Sequence, residues 1–343
     1  MNRNAQQSAS APSLIFGVYP GGAAGTVNAA GPVHAEDPQQ RLAALQQLRP
    51  PGRAFVLRMY ASYEGPGASS AAEQVGAQLA EYTASGFQVE LVLCFRPSGS
   101  DPATNVSDFV PFVRQAVDQL GSNAALTSLQ VTNEANVNGA PNASDGYYAG
   151  ARDALIAGVE GAKGEIEHDG DSQLKVGFNW AYQLGSSEDE FFSYLGAHGG
   201  SSFAQAVDWV GIDAYPGTWG PGLTTGLSIA SATRQATVDA LGALRNRFMP
   251  LAGLPHAVSI HVCESGAPTG ATRDEAAQST VLAAAVQAVF DYRTTFNVTD
   301  YRWFDLRDAN SSSSSFEDHY GLMSDAYVAK PAFSVYRSLM ARL

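Results

Sequence analysis

Short apolar runs alternate along this chain with longer segments in which apolar residues return every three or four positions. The runs are rich in Val, Ile, Leu and Phe and predict buried strands, whereas the spacing between them predicts amphipathic helices. Eight strands are predicted, at residues 13–20, 54–60, 89–95, 129–132, 174–180, 207–214, 256–263 and 299–306. A predicted helix follows each strand, so one strand–helix unit is repeated eight times.

Two of the helices begin with recognisable capping signals. Asp37 stands before a proline in the first turn, and Ser70 stands three residues before Glu73, which predicts a capping box. The other helices are expected at residues 109–120, from about 144, at 188–195, 232–248, 276–292 and 331–343.

Strand–helix units at intervals of roughly 35–50 residues predict an α/β fold, a (β/α)8 TIM barrel. Nearly continuous apolar strands are typical of a parallel sheet that is buried on both faces. A doubly wound open sheet is the alternative, but no G-x-G-x-x-G follows the first strand. We therefore expect a flexible segment at residues 1–12 and a single catalytic domain at residues 13–343.

Composition narrows the partners that the protein is expected to have. Among 343 residues the net charge is −13, which argues against nucleic acid or an anionic membrane surface. No stretch approaches the roughly 20 apolar residues of a membrane span, and no secretory signal is visible, so the compartment is left open. The two cysteines, Cys94 and Cys263, are expected to be buried thiols, and no metal site or cofactor is predicted.

Chemistry is expected at the C-terminal ends of the strands, where such barrels carry their active sites. Polar and aromatic residues are concentrated at these positions: Arg58, Tyr60, Arg96, Asn133, Glu134, Asn179, Trp180, Asp213, Tyr215, Glu264, Trp303 and Asp305. Aromatic rings offer flat apolar faces to sugar rings, and polar groups hold hydroxyls. A carbohydrate is therefore the expected substrate.

Two of these residues have the chemistry that glycosidic bond cleavage requires. Glu134 and Glu264 end the fourth and seventh strands, which face each other across an eight-stranded barrel. One carboxyl must be protonated to donate to the leaving oxygen, and the other must be ionised. Taken alone, Glu264 is equally compatible with a strand end that the following loop solvates; the position of the pair favours catalysis.

Four motifs that follow one another in order resemble those of the clan A retaining glycoside hydrolases. That clan consists of (β/α)8 barrels with an Asn-Glu pair ending the fourth strand and a Glu ending the seventh. The motifs are Thr-Asn-Glu at 132–134, Asp-Ala-Tyr-Pro at 213–216, Glu-Ser-Gly at 264–266 and Tyr-Arg-Trp-Phe at 301–304. Residues 320–323 and 330–333 also resemble the ends of many members, so the resemblance covers essentially the whole chain.

The resemblance implies a role for each matched residue. Glu134 is the expected acid/base and Glu264 the expected nucleophile, with carboxyls about 5–5.5 Å apart. Arg58 would keep Glu264 ionised, and Tyr215 would orient the same carboxylate. Asn133 would bind the sugar 2-hydroxyl, and Trp303 would form the floor of the sugar subsite. Trp180 is a further expected substrate-binding residue, although it could equally pack under a loop.

Other positions keep two interpretations. Arg96, Asn179, Asp213 and Asp305 could contact substrate or form ion pairs at the barrel mouth. Trp219, in the loop after the sixth strand, could overhang the site, and His261 is expected to be a packed core residue.

Two departures from the clan's pattern leave the exact family, and so the sugar, unresolved. Ala135 follows the catalytic Asn-Glu pair where many members carry a bulkier residue, and Asp213 stands where several families have His. One alternative function is a catalytically inactive carbohydrate-binding barrel. Another is a different hydrolase or lyase, disfavoured because no nucleophile elbow or metal-ligand set is present.

Overall fold

A closed barrel of eight parallel strands forms the centre of the protein, as the sequence predicts. The computed structural model describes residues 13–22, 33–139, 141, 143–170, 173–270 and 273–343, so the segment predicted at residues 1–12 lies outside the described residues. Each strand pairs in parallel with its neighbours in sequence, and β1 closes the barrel on β8. The strands are β1 (Ile15–Val18), β2 (Phe55–Tyr63), β3 (Gln88–Phe95), β4 (Leu126–Val131), β5 (Lys175–Ala181), β6 (Trp209–Asp213), β7 (Ser259–Ser265) and β8 (Val298–Trp303).

Helices connect successive strands and cover the outside of the barrel. They are α1 (Pro38–Leu48), α2 (Ala71–Ala84), α3 (Pro102–Leu120), α4 (Ala151–Asp169), α5 (Ser186–Ala206), α6 (Ile229–Ala243), α7 (Met249–Leu251), α8 (Glu275–Phe296) and α9 (Pro331–Arg342). A π-helical turn, Leu244–Phe248, joins α6 to α7. Both predicted capping signals are confirmed: Asp37 accepts from the first turn of α1, and Ser70 with Glu73 forms the capping box of α2.

Three predicted helix bounds are wrong, each for an identifiable reason. Helix α3 begins seven residues early because Asp101 caps it, accepting from the Ala103 N–H at 3.2 Å. The fourth helix does not begin near residue 144, because a 3-10 turn, Asp145–Tyr147, precedes α4. Helix α5 is longer than predicted and is interrupted at Gly200, whose backbone is left-handed (φ 56°); the helical piece after the interruption contains the fully buried Phe203.

The inside of the barrel holds a set of ionisable residues that we call the interior ion network: Arg58, Glu90, His261, Asp300 and Arg302. Glu90 accepts from Arg58 at 2.7 Å and lies 3.5 Å from the Arg302 guanidinium. His261 lies 3.4 Å from Glu90 and 3.2 Å from Asp300, and it stacks on Trp209, which confirms its predicted place in the core. Burial opposes ionisation of Glu90, but the surrounding cations, Arg302 foremost, lower its pKa.

Both cysteines are buried and free, as predicted. Within the described residues, every helix falls short of the combination of length and apolarity that crossing a bilayer requires.

Candidate active site

Three carboxyl groups meet at the C-terminal end of the barrel. Glu134 follows β4, Asp213 ends β6 and Glu264 lies near the end of β7. One oxygen from each lies within 4.8 Å of the others. The barrel therefore brings together the two glutamates that the sequence predicts as a pair, and it adds a third acid to them.

Glu264 is surrounded by hydrogen-bond donors. Its Oε1 accepts from the Tyr60 hydroxyl at 2.5 Å and lies 3.4 Å from Nη2 of Arg58, and its Oε2 accepts from the Tyr215 hydroxyl at 2.6 Å. Burial, reinforced by the charge of Glu264, raises the pKa of both tyrosines well above the ordinary value, so both hydroxyls keep their protons. Three donors stabilise a carboxylate and fix its orientation.

Arg58 connects this carboxylate to the rest of the barrel. Its side chain is fully buried, and Nη1 donates to Glu90 at 2.7 Å and to Gln130 at 2.8 Å. Nη2 faces Glu264 and also donates to Oδ1 of Asn133 at 3.3 Å. The guanidinium is thus held on every side, so its position does not depend on Glu264 alone.

Glu134 has different surroundings. It is partly buried, with a left-handed backbone (φ 49°), and its N–H donates to Oδ1 of Asn179 at 2.7 Å. Its side-chain Oε2 accepts from the Ser144 hydroxyl. Burial in the first place, and the charge of Glu264 in the second, raise the pKa of Glu134 to about 7. A carboxylic acid with this pKa is protonated in mildly acidic solution and about half protonated at pH 7.

Asn133 is brought to the cluster, but most of its side chain is already engaged. Its Oδ1 accepts from Arg58, Gln130 and Asn179, and its Nδ2 donates to the carbonyl of Ala143 at 2.7 Å. An amide nitrogen carries two hydrogens, so one N–H is left for a ligand.

Trp303 does not form the floor of the site, contrary to the expectation from sequence. Its side chain is fully buried, and on β8 it follows Arg302, whose guanidinium reaches Glu90 inside the barrel. Successive side chains of a strand point to opposite faces, so Trp303 faces outward. Phe304, the next residue, turns back to the opening, where its ring stacks on Tyr19 with centroids 5.2 Å apart.

Trp180 is not brought to the site either. Its ring is fully buried, with its centroid 5.0 Å from that of Phe248 and 6.0 Å from that of Phe192. Its Nε1–H donates to Glu188 of α5. The preceding residue, Asn179, is the one that points inward. Position at a strand end predicts Trp180 in the site and the family resemblance implies Trp303 there, whereas the alternation along the strand decides which side chain enters the site.

Two residues missed by the sequence analysis line the opening. The sequence places Tyr60 near the end of β2 but indicates no role for it. Because it lies two residues after Arg58, its side chain is on the same face of the strand as that of Arg58. Phe304 shares the face of Arg302 for the same reason. Further out, Trp219 and Phe316 are exposed and pair at 5.7 Å.

The remaining positions divide as follows. Asn179 and Asp213 belong to the cluster, while Arg96 lies 3.5 Å from Asp145, the buried carboxylate that accepts the N–H groups of Phe95 and Asn133. Asp305 is buried.

The three clustered carboxyls are near enough to hold a divalent cation, but oxygens of Glu134 and Glu264 already accept from Ser144 and the two tyrosines.

A closed parallel barrel in which helices connect the eight strands is a (β/α)8 fold, and glycoside hydrolases are among the solved structures that resemble it. The match with a fungal β-1,4-galactanase covers 95% of this chain and 99% of the galactanase chain, at 14% identity and a TM-score of 0.61. The match with a β-glucuronidase from an uncultured Clostridium species covers 96% of this chain and 51% of the β-glucuronidase chain, at 12% identity and a TM-score of 0.60.

The match with a family 39 glycoside hydrolase from Bacteroides cellulosilyticus WH2 covers 96% of this chain and 64% of the hydrolase chain, at 14% identity and a TM-score of 0.60. The chain thus spans about half the length of the β-glucuronidase. No protein-family model matches the sequence, and no curated protein is similar to it. At these identities the likeness establishes a shared fold.

Proposed function

We propose that this protein is a retaining glycoside hydrolase that cleaves a β-glycosidic bond by double displacement. The observation that carries the proposal is the contrast between two carboxyls that meet over one opening. Glu264 accepts from three donors and suits the ionised role, whereas burial keeps Glu134 protonated to about pH 7. Glycoside hydrolases among the structures with this fold add support.

In the first step, an oxygen of Glu264 attacks the anomeric carbon while Glu134 gives its proton to the departing oxygen. The glycosidic bond breaks, and an ester links the sugar to Glu264. In the second step, Glu134, now a carboxylate, takes a proton from water as that water attacks the same carbon. The ester breaks, Glu264 is released as a carboxylate, and Glu134 is again protonated.

The distance between the acids favours retention of configuration. Retaining enzymes have carboxyl groups about 5–5.5 Å apart, whereas inverting enzymes leave about 6.5–9.5 Å for a water molecule. One oxygen of Glu134 and one of Glu264 lie within 4.8 Å of each other, which fits the shorter, retaining separation better than the longer one. Asn133, with its free N–H, is the proposed partner of a sugar hydroxyl, and Phe304 replaces Trp303 as the proposed apolar wall.

The sugar is proposed only as a class, a β-linked glycan or glycoside. The similar structures act on different substrates by their own descriptions: β-glucuronidases, one of them in complex with D-glucuronic acid, β-1,4-galactanases, and a β-1,3-glucanosyltransferase in complex with laminaritriose. The exposed pair Trp219 and Phe316 supports an extended glycan, because exposed aromatic faces suit sugar rings.

The test is a screen of aryl β-glycosides and β-glucans, galactans and glucuronides, followed by mechanistic trapping on the best substrate. A 2-deoxy-2-fluoro glycoside of that sugar is expected to accumulate on Glu264, seen by mass spectrometry of the peptide that contains it. Glu264→Gln is expected to prevent labelling, and Glu134→Gln to slow it.

Two results would overturn the proposal. One is inversion of the anomeric configuration in the first-formed product, observed by NMR. The other is sugar binding without turnover across the whole screen, which would favour a carbohydrate-binding barrel.

A further inference from the structure

The third carboxyl of the cluster, Asp213, is more buried than either glutamate and has fewer donors than Glu264. It is 2% exposed, and its Oδ2 accepts from the Nδ2 of Asn179. No donor among the described residues reaches Oδ1. One oxygen of Asp213 lies within 4.8 Å of an oxygen of Glu134 and of an oxygen of Glu264, and both of these neighbours are acids.

An acceptor atom buried without a donor costs free energy, and it costs more when it is charged. Two carboxyls that approach each other avoid this cost when one carries a proton, because the protonated group then donates to the other. Asp213 and Glu134 approach each other in this way, with one oxygen of each within 4.8 Å of the other. Of the three acids, Glu264 has three donors, whereas Glu134 and Asp213 have one side-chain donor each, so the negative charge is best stabilised on Glu264.

We propose that Asp213 carries a proton at neutral pH and donates it in a hydrogen bond from Oδ1 to Glu134, acting as a positioning residue for the acid/base. The catalytic meaning of this inference rests on the proposed function. Burial, and after it the charges of Glu264 and Glu134, raises the pKa of Asp213 well above its ordinary value, which supports the assignment.

The proton on Asp213 does not leave it during the reaction. When Glu134 gives its own proton to the leaving oxygen, it becomes a carboxylate, and the Asp213 hydroxyl then donates to a full charge. Hydrogen bonds to charged groups are stronger than those between neutral groups. The interaction therefore strengthens as charge develops on Glu134, and it weakens again when Glu134 takes a proton from water.

Several other groups face Asp213 and set its ionisation. They are Arg58 and Tyr60 on β2, Glu134 after β4, Asn179 on β5, Tyr215 after β6, and Cys263 and Glu264 on β7. Arg58 is the one cation among them, and it is shared with Glu90 and Glu264. One shared guanidinium does not compensate three ionised carboxyls, so at least one carboxyl retains a proton.

Asp213→Asn is the decisive variant because an amide imitates the protonated acid. Its oxygen still accepts from Asn179, and its NH2 still donates to Glu134. We expect kcat to stay within a few-fold of the wild type, and the basic limb of the kcat/KM profile to stay where it is. A shift of that limb to lower pH by one unit or more would overturn the proposal, because it would mean that a negative charge had been removed.

Asp213→Ala removes the donor altogether. We expect kcat to fall by about 10- to 100-fold on glycosides with poor leaving groups and the basic limb to move to higher pH, with KM little changed. Equal losses on good and poor leaving groups would overturn a role through the acid/base. Asp308→Asn is the matched control, since Asp308 is equally buried but pairs with Lys330 outside the cluster.

A second readout does not require activity. In the infrared difference spectrum of wild type minus Asp213→Asn at pH 7, we expect loss of a protonated carboxyl band. Loss of a carboxylate band would overturn the proposal directly. A protein that turns over no glycoside but shows the protonated band would contradict the proposed function and leave the protonation of Asp213 established.

Discussion

The two sides of the site differ in what surrounds their carboxyl groups. On the β2–β7 side, Glu264 accepts from two tyrosines and faces a fixed guanidinium. On the β4–β6 side, Glu134 meets one hydroxyl, from Ser144, and two other acids. Both residues are glutamates at the ends of barrel strands, so the proposed difference in role comes from the donors that neighbouring strands supply. The surroundings of a glutamate thus suit it to act as a nucleophile or as an acid.

The largest expected difference between the two sides appears when each carboxyl is removed. Glu264→Ala is expected to lower kcat by more than about 10⁴-fold on every substrate, because no ester can form. Glu134→Ala is expected to cost about 10²- to 10⁴-fold on poor leaving groups and much less on acidic phenols. Steady-state kinetics over a series of aryl glycosides measures both.

Azide separates the two variants further. We expect it to restore turnover of the Glu134→Ala variant with a β-glycosyl azide as product, and of the Glu264→Ala variant with the α-anomer. The same anomer from both variants would show that the assigned roles are wrong.

The guanidinium on the nucleophile side gives the next largest effect. Arg58→Leu leaves Glu90 buried without one of its cations and is expected to reduce the free energy of unfolding by about 3–5 kcal/mol. Arg58→Lys keeps the charge but loses the forked contacts, and kcat is expected to fall by about 100-fold in protein that remains folded.

Arg302→Lys is the control for Arg58→Lys, because Arg302 contacts Glu90 and Asp300 but not Glu264. It is expected to lower the midpoint of thermal unfolding while kcat stays within a few-fold. An equal loss of kcat in both lysine variants would mean that Arg58 acts through packing alone.

Removing one hydroxyl from each side compares single donors. Tyr215→Phe is expected to lower kcat by about 10- to 100-fold, since Glu264 loses a bond of 2.6 Å. Ser144→Ala is expected to change kcat by less than about tenfold. Because Glu134 loses a donor, its pKa is expected to rise, and the basic limb of the kcat/KM profile is expected to move from about pH 7 to a higher pH. Tyr82→Phe, at a buried tyrosine between α2 and the barrel, is the control. A downward shift in the Ser144→Ala profile would contradict the assignment of Glu134 as the acid.

The smallest expected effect is on the pH dependence of stability. The native pKa of Glu134 is raised from 4.5 to about 7, so the native state binds this proton more tightly than the unfolded chain does. Its stabilising contribution is complete below about pH 4.5 and is lost as the pH rises through about 7. Relative to Glu134→Gln, the wild type is expected to lose about 1–2 kcal/mol between pH 4.5 and 8, after allowance for partial exposure.

Urea unfolding at several pH values measures this loss. Glu167→Gln, at an exposed position of α4, is expected to show no pH-dependent difference from the wild type. A wild type that gains stability over this window relative to Glu134→Gln would contradict the raised pKa.

The order of the strands and the meeting of Glu134 with Glu264 could be predicted from the sequence because both depend on regular patterns. Apolar runs locate strands, and an eight-stranded barrel brings its fourth and seventh strand ends to one opening. Errors arose where one residue of register decides the outcome. Trp303 and Trp180 were assigned to the opening, whereas Phe304 and Asn179 occupy it, since a shift by one residue reverses the face of a side chain.

Other features have no local signal at all. The left-handed backbone of Glu134 (φ 49°) is held by partners distant in sequence, among them Oδ1 of Asn179 on β5. The pKa of Glu134 depends on Glu264, which lies 130 positions later in the chain. The hydrogen-bonding state of Asp213 likewise depends on three strands together, and a sequence pattern reports on only one strand at a time.

The interior ion network also constrains how this sequence can vary. A single change at Asp300 or His261, deep in the barrel, removes contacts of the residues that surround Glu90 and through them affects the guanidinium that faces Glu264. Substitutions there are therefore expected to show strong epistasis, harmful singly and tolerated in compensating pairs. A library for changing the specificity of this barrel would keep these positions fixed, or vary them jointly, and diversify the loops at the opening.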